Sequence, residues 1–404
     1  MIDQINKISR ILILDHDSGL TGSTKSLIYL LRALKEEPVE VIIATRKNME
    51  QRNVYSNYVH KIISIEDHVN LNFSQSNNLT ILKPIGLYSI YLTFIRFIRG
   101  FFIGNKLIKS ISPDLVFLNE YVLIQFAAAA KLKGKKTITY VRSQFFKGRF
   151  GLWGKLIKKI IFRFSDKIFV ITNQELDQFY LLTKLKPNKF TIVREFLDEE
   201  NFRIINDLRS IKKYYNIPEN KFIVLMLGGI RRIKGSFELL QAANELNNRS
   251  NEFFFIIAGK VGNTGVEQKE YSQKCFNFIA ENNLQNSVRI TDEISEVSDV
   301  ISAADVLVST NTTSHFSRPI IEAWAKKKPV IASNHPHTRE IVKDNENGLL
   351  YNPGDYLQLA DKIMLLKEDK NLRSILGKNG FDLAKKDFLI DNNLKTIKNK
   401  ILEV

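Results

Sequence analysis

The run GGIRRIKG at 228–235 follows the apolar stretch FIVLML at 222–227 and leads into the helical pattern SFELLQAANEL at 236–246. A glycine turn between a buried strand and a helix brings backbone N–H groups, a helix N-terminus and a lysine to one point, which suits a diphosphate. Gly228, Gly229, Gly235, Arg231, Arg232 and Lys234 are the residues placed to meet it. Further along, SHFSRPIIEAWAKKKPVIAS at 314–333 reads as a helix ahead of a second buried strand. If Ser317, Arg318, Pro319 and Ile320 open that helix, Glu322 lies inside it with a carboxylate free to accept from vicinal hydroxyls, as on a ribose. Phosphate at one strand–helix turn and ribose at the next describe a nucleotide site in an open α/β sheet.

These segments need a sheet to hold them, and the chain alternates apolar runs with helical patterns throughout. In the first half the expected strands are ILILD (11–15), VEVIIAT (39–45), KIISI (61–65), DLVFLN (114–119), KTITYV (136–141), KIFVIT (167–172) and FTIVRE (190–195). The second half continues with FIVLML, FFFIIAG (253–259), VRIT (288–291), VLVST (306–310), PVIAS (329–333) and NGLLY (347–351). Helices are expected at 236–247, 267–282, 294–303, 318–327, 355–367 and 371–385. Strand–helix–strand repetition predicts parallel sheets with helices on both faces. The polar stretch DEENF at 198–202 interrupts the alternation, so two domains are expected, 1–200 and 201–385. A last helix over 386–404 suits either half and is able to cross back to the first.

Composition narrows the function classes. A chain of 404 residues is comfortable for two domains, and its 44% hydrophobic and 25% charged residues exclude disordered and collagen-like proteins. The single cysteine, Cys275, cannot form an internal disulfide, and its helical pattern suggests a half-buried small residue. With no signal-like segment before the first strand, a cytoplasmic location is expected. The net charge of +16 is uneven: Lys and Arg number 30 against 18 acids in residues 1–200, but 29 against 25 in 201–404. An anionic partner for the first half follows. Segment 86–110 has four bases, six aromatics and no acid, and segment 131–167 has twelve bases and one acid, Asp166. Interleaved aromatic and basic residues are what an interfacial membrane helix presents, with an ordinary solvated surface helix as the competing reading. Arg96 and Arg99 count against a membrane span over 85–104. No cluster of acids or histidines has metal-ligand spacing.

Together the landmarks resemble the GT-B fold glycosyltransferases of the retaining family-4 type, the glycosyl transferases group 1. TGSTKSL at 21–27, with Gly22, is similar to that family's glycine loop and first helix. PDLVFLN at 113–119 and FSDKIFVIT at 164–172 are similar to two of its strand elements. RPIIEAWAKKKPVIASNHPHTREIVKDNENGLLYNPGD at 318–355 is the most recognisable stretch. The resemblance implies two doubly wound Rossmann-like domains facing across a cleft, the first taking a glycan or lipid-linked acceptor and the second a nucleotide sugar. It implies that Lys234 contacts the donor diphosphate, that Glu322 contacts the ribose, and that no metal is needed. It also implies polysaccharide or lipopolysaccharide synthesis at the inner face of the cytoplasmic membrane.

Three departures from the family pattern stand out. The first glutamate of the family's E-x7-E pair falls on Ser314, so the sugar contact is altered or comes from another residue such as His315. The arginine that usually follows the turn glycine falls on Gly229, leaving Arg231 or Arg232 as second cation. Where the family often has a catalytic-loop histidine stand Arg142 and Ser143, and His16 after the first strand is the other candidate. A nucleotide-sugar epimerase or hydrolase on the same frame, and a non-catalytic nucleotide-sugar-binding protein, remain alternatives. Nucleic-acid binding has the charge but no reading motif. Base selectivity is expected around Asp292 and Glu293, with uracil and guanine both open.

Overall fold

The computed structural model of the chain describes residues 8–16, 22–47, 49, 52–65, 84–142, 152–183, 187–205, 207–263, 265–291 and 296–404. The chain divides into two compact units, Met1–Phe196 with Asp391–Val404, and Leu197–Ile390.

The first unit is built on strands β1 (Arg10–Leu14), β2 (Glu40–Arg46), β3 (Lys61–Ile65), β4 (Leu115–Leu118), β5 (Lys136–Val141), β6 (Lys167–Val170) and β7 (Phe190–Ile192). They form one sheet in the order β3-β2-β1-β4-β5-β6-β7, every pairing parallel. β1 and β4 are apolar and almost wholly buried because helices cover both faces, as a parallel sheet requires. Strand order reverses between β1 and β4, whose register sets Leu12 beside Val116. β7 stops at Ile192, shorter than the expected 190–195, because the chain beyond it turns Glu195 inward to Ser26 and Arg142. The helix Ile390–Leu402 buries Ile397 and Ile401, and Lys398 bonds Glu37 at 2.6 Å.

Segment 86–110 lies in one helix, Pro84–Ile111. Gly100 and Gly104 let it press on the helix Ile124–Leu132; a Cβ at either position would sit 2.6 Å from Gln125 or 3.1 Å from Ala129. Tyr91, Phe94, Ile98 and Phe102 recur at three- and four-residue spacing and are exposed. Among the described residues no helix is long and apolar enough to cross a membrane.

The second unit carries β8 (Phe222–Leu227), β9 (Phe253–Ala258), β10 (Val288–Thr291), β11 (Val306–Ser309), β12 (Val330–Ser333) and β13 (Leu349–Tyr351) in the order β10-β9-β8-β11-β12-β13, again all parallel. The reversal falls between β8 and β11, so the turns that follow these two strands flank the switch-point crevice of the sheet. DEENF is itself helical over Glu199–Phe202, closed by a reciprocal cap between Asp198 and Asn201. Cys275 is fully buried in the core rather than half-buried, and burial pushes its thiol up to about 12.

One sheet face is packed by Trp324, whose indole N–H donates to the Asn347 carbonyl at 3.0 Å. Gly380 in the helix Lys370–Asp387 presses on that ring; a Cβ there would lie 2.1 Å from Trp324 Cδ1. Alanine gains about 1 kcal/mol of helix propensity over glycine. The pinned indole cannot give way, so overpacking dominates. Gly380→Ala is expected to destabilise the chain by roughly 1–3 kcal/mol in urea denaturation; equal or greater stability would contradict this packing.

Candidate nucleotide-binding site

Gly228, Gly229 and Gly235 all have positive φ, at 124°, 67° and 68°. At two of them the reason is a close approach of backbone. A Cβ on Gly229 would meet the Lys260 carbonyl at 2.2 Å, and one on Gly235 the Thr310 carbonyl at 1.9 Å. The turn after β8 is thereby seated on the ends of β9 and β11. Thr310 Oγ donates to the Lys234 carbonyl at 2.6 Å and Thr312 N to the Ile233 carbonyl at 3.0 Å, so the segment after β11 is stitched to this turn.

The expected cradle of amides is revised. Gly228 N and Gly229 N both donate to the Ala258 carbonyl, at 2.8 and 2.9 Å. Arg231 N donates to Ser236 Oγ, Arg232 N to Gln268, and Phe237 N at the helix start to the Tyr271 hydroxyl. The glycines serve close packing, and these amides already have partners. Arg232 is also drawn outward, to Glu267 at 3.2 Å. Arg231 remains exposed beside Lys234.

What the turn offers is Lys234. Its stem crosses Gly228, and its ammonium lies 3.2 Å from His315 Nε2. Burial first, and the neighbouring Arg231 second, lower its pKa to about 8. Burial and the Lys234 charge push His315 down to about 3, so the imidazole is neutral. Ser314 does not reach this pair: its hydroxyl is 2.6 Å from Nδ1 of His337, which is buried on the helix Pro336–Ile341. His335 Nε2 bonds the Asn311 carbonyl at 2.8 Å, and burial lowers its pKa.

Ser317 is the N-cap residue of the helix Arg318–Ala325, with Pro319 and Ile320 in its first turn. Its hydroxyl bonds Ser309 Oγ at 2.9 Å, not the helix amides. The helix stops short of residue 327, since Lys327 has φ 56° and Pro329 follows. Glu322 is not wholly free as expected: Arg318 Nε donates to its Oε1 at 3.0 Å, the side chains 11% and 13% exposed. A pair this sheltered is screened less than a surface ion pair. Arg318 therefore answers Glu322 in this state.

His16 and Gly22 belong to the first unit. His16 follows the buried Asp15 at the carboxyl end of β1, and Gly22 starts the helix Gly22–Lys35. Asp15 accepts from Tyr55 at 2.7 Å and Asn119 at 2.9 Å. Arg142, at the end of β5, pairs with Glu195 at 3.2 Å and lies 4.1 Å over the Tyr140 ring. Sequence reasoning singled out Arg142 but missed its partner Glu195, the Asp15–Asn119 contact and His337, although Asp15, Asn119 and Arg142 directly follow strand ends, the edge where such sheets bind ligands. Asp292, Glu293 and Ser143 lie outside the described residues. Among the described residues no group of three or more His, Cys, Asp or Glu is gathered as for a metal.

A lysine with a folded-state value near 8, against an ordinary 10.5, binds fewer protons folded than unfolded between those values. The cost of burying its charge is full below about 8 and fades as pH rises to about 10.5. Unliganded Lys234→Met is therefore expected to melt a few degrees higher than wild type at neutral pH, the gap closing toward the lysine's ordinary value. A lower Tm at neutral pH in calorimetry would contradict the strained ammonium.

Residues 207–382 match the family described as Glycosyl transferases group 1. The capsular polysaccharide biosynthesis glycosyltransferase CapM of Staphylococcus aureus is 24% identical over 257 residues, 61% of this chain and 65% of that protein. The N,N'-diacetylbacillosaminyl-diphospho-undecaprenol alpha-1,3-N-acetylgalactosaminyltransferase of Campylobacter jejuni is 24% identical over 226 residues, 55% of this chain and 56% of that one. The chain thus spans less than two thirds of either relative. The crystal structure of Anabaena HepE in complex with UDP and glucose aligns with a TM-score of 0.79 at 16% identity, covering 98% of this chain and 100% of HepE. The chain has the GT-B fold, and residues 207–382 of its second unit are similar to the glycosyl transferases group 1 family.

Proposed function

We propose that this protein is a retaining, family-4 glycosyltransferase that moves a sugar from a nucleoside-diphosphate donor to a lipid-linked or cell-envelope glycan. The observation that carries the reading is the Lys234 ammonium, held at the switch point against a neutral imidazole. A diphosphate supplies the negative charge that the contact of Lys234 with His315 does not. As the bond between the sugar's anomeric carbon and the diphosphate oxygen breaks, its electron pair stays on that oxygen. The acceptor hydroxyl bonds the same carbon from the same face, and its proton passes to the departing oxygen. Lys234, with Arg231 beside it, stabilises the charge that develops there, so the transfer runs without a metal ion or other cofactor. Glu322 receives the ribose through the oxygen that Arg318 leaves open.

The printed names of CapM and the Campylobacter enzyme support a polysaccharide or lipid-linked acceptor, and HepE's complex with UDP and glucose supports a nucleotide-sugar donor. In this reading the first unit takes the acceptor. Its basic excess and the exposed aromatic stripe of helix Pro84–Ile111 support a seat on the anionic inner face of the cytoplasmic membrane.

The test is a panel of UDP- and GDP-sugars screened by thermal shift, followed by product analysis. A donor at a hundred times its Kd adds about 2.7 kcal/mol. Lys234→Ala and Glu322→Ala are expected to cut formation of the new glycosidic bond at least ~100-fold while the chain stays folded. Wild-type turnover in both variants would refute the site.

A further inference from the structure

The contact between Lys234 and His315 has a defined direction. His315 Nδ1 lies 3.1 Å from the Thr313 carbonyl, which can only accept, so Nδ1 carries the proton and Nε2 the lone pair. That lone pair faces Lys234 Nζ at 3.2 Å. The lysine stem is held from the other side by the bare Gly228, where a Cβ would stand 3.0–3.1 Å from Cγ, Cδ and Cε. The ammonium is thus fixed along its length.

The titratable groups on the surrounding segments are Arg231 and Arg232 on the same turn, Lys260 after β9, and Arg318 and Glu322 on the next helix. His335 and His337 follow β12. Glu322 is taken by Arg318, and Arg232 by Glu267. Among the described residues the side chain of Lys234 has His315 as its polar partner, and Arg231 is the charge acting on it. A carboxylate in place of His315 would neutralise the lysine and repel an anion. The imidazole does neither: its lone pair accepts from an amine and more strongly from an ammonium, so the geometry survives a change of protonation while the contact favours the charged form.

We propose that a nucleoside diphosphate binds at this site with uptake of a proton by Lys234, and that His315 is the positioning residue holding that lysine for it. The inference rests on the nucleotide-sugar reading above. Because the unliganded lysine titrates near 8, binding is full-strength below that value and weakens as pH rises through it.

The experiment is calorimetric titration of the full chain with UDP and with GDP, in buffers of different ionisation enthalpy. The range is about pH 7.5 to about pH 9, above the terminal phosphate's own titration near 6. Proton uptake is expected to grow from about a quarter of a proton to about nine tenths, while affinity falls roughly eightfold. Lys234→Arg, which stays charged, is expected to bind with no uptake. His315→Phe removes the acceptor and is expected to move the profile to lower pH, and His315→Gln, which keeps one, to restore it. Binding without wild-type uptake, or a His315→Phe profile superimposed on wild type, overturns the inference and leaves the nucleotide-sugar reading standing. Failure of both nucleotides to bind wild type overturns both.

Discussion

A half-buried ammonium with a neutral partner is the constraint on which the second unit's site depends. The chain spends packing precision on it: Gly228 opens room for the stem, Gly235 admits the Thr310 carbonyl, and Thr310 and Thr312 stitch the loop that delivers His315. The contacts of Gly235, Thr310 and Thr312 bring together the segments after β8 and β11, where strand order reverses. The sheet topology places the crevice; the glycines let it be narrow.

Much of this was legible beforehand, for local reasons. FIVLML followed by two glycines marks a buried strand and tight turn without knowledge of any partner, and the chain-long alternation specifies parallel sheets. That Lys234 would stand at such a turn followed too. What its neighbours would be did not, because that depends on register between distant segments. His315 reaches Lys234 across 81 residues, and Ser314 reaches His337 across 23. The amides were misjudged for the same reason: Tyr271 and Gln268, which occupy two of them, come from a helix whose rotation the sequence alone does not define. Arg318 and Glu322, one turn apart, were a foreseeable pair, yet their sheltering arises from tertiary packing.

The first unit follows the same rule at its own switch point. Asp15 after β1 and Asn119 after β4 are buried and bonded to each other, and Arg142 after β5 is clamped by Glu195 and stacked on Tyr140. Removing one member of such a buried pair leaves the other charge stranded, which is strongly destabilising. The helix Pro84–Ile111 presents the opposite character, a stripe of exposed aromatic and aliphatic side chains continuing into Lys106 and Lys109. One surface is tied down by buried polar pairs, and the other exposes apolar side chains beside lysines.

The most direct measurement is a crystal structure of the chain with a bound nucleoside diphosphate. The account predicts a phosphate oxygen within about 3 Å of Lys234 Nζ, with His315 still on the lysine's other side. A nucleotide bound elsewhere, leaving Lys234 in contact with His315 alone, would contradict it.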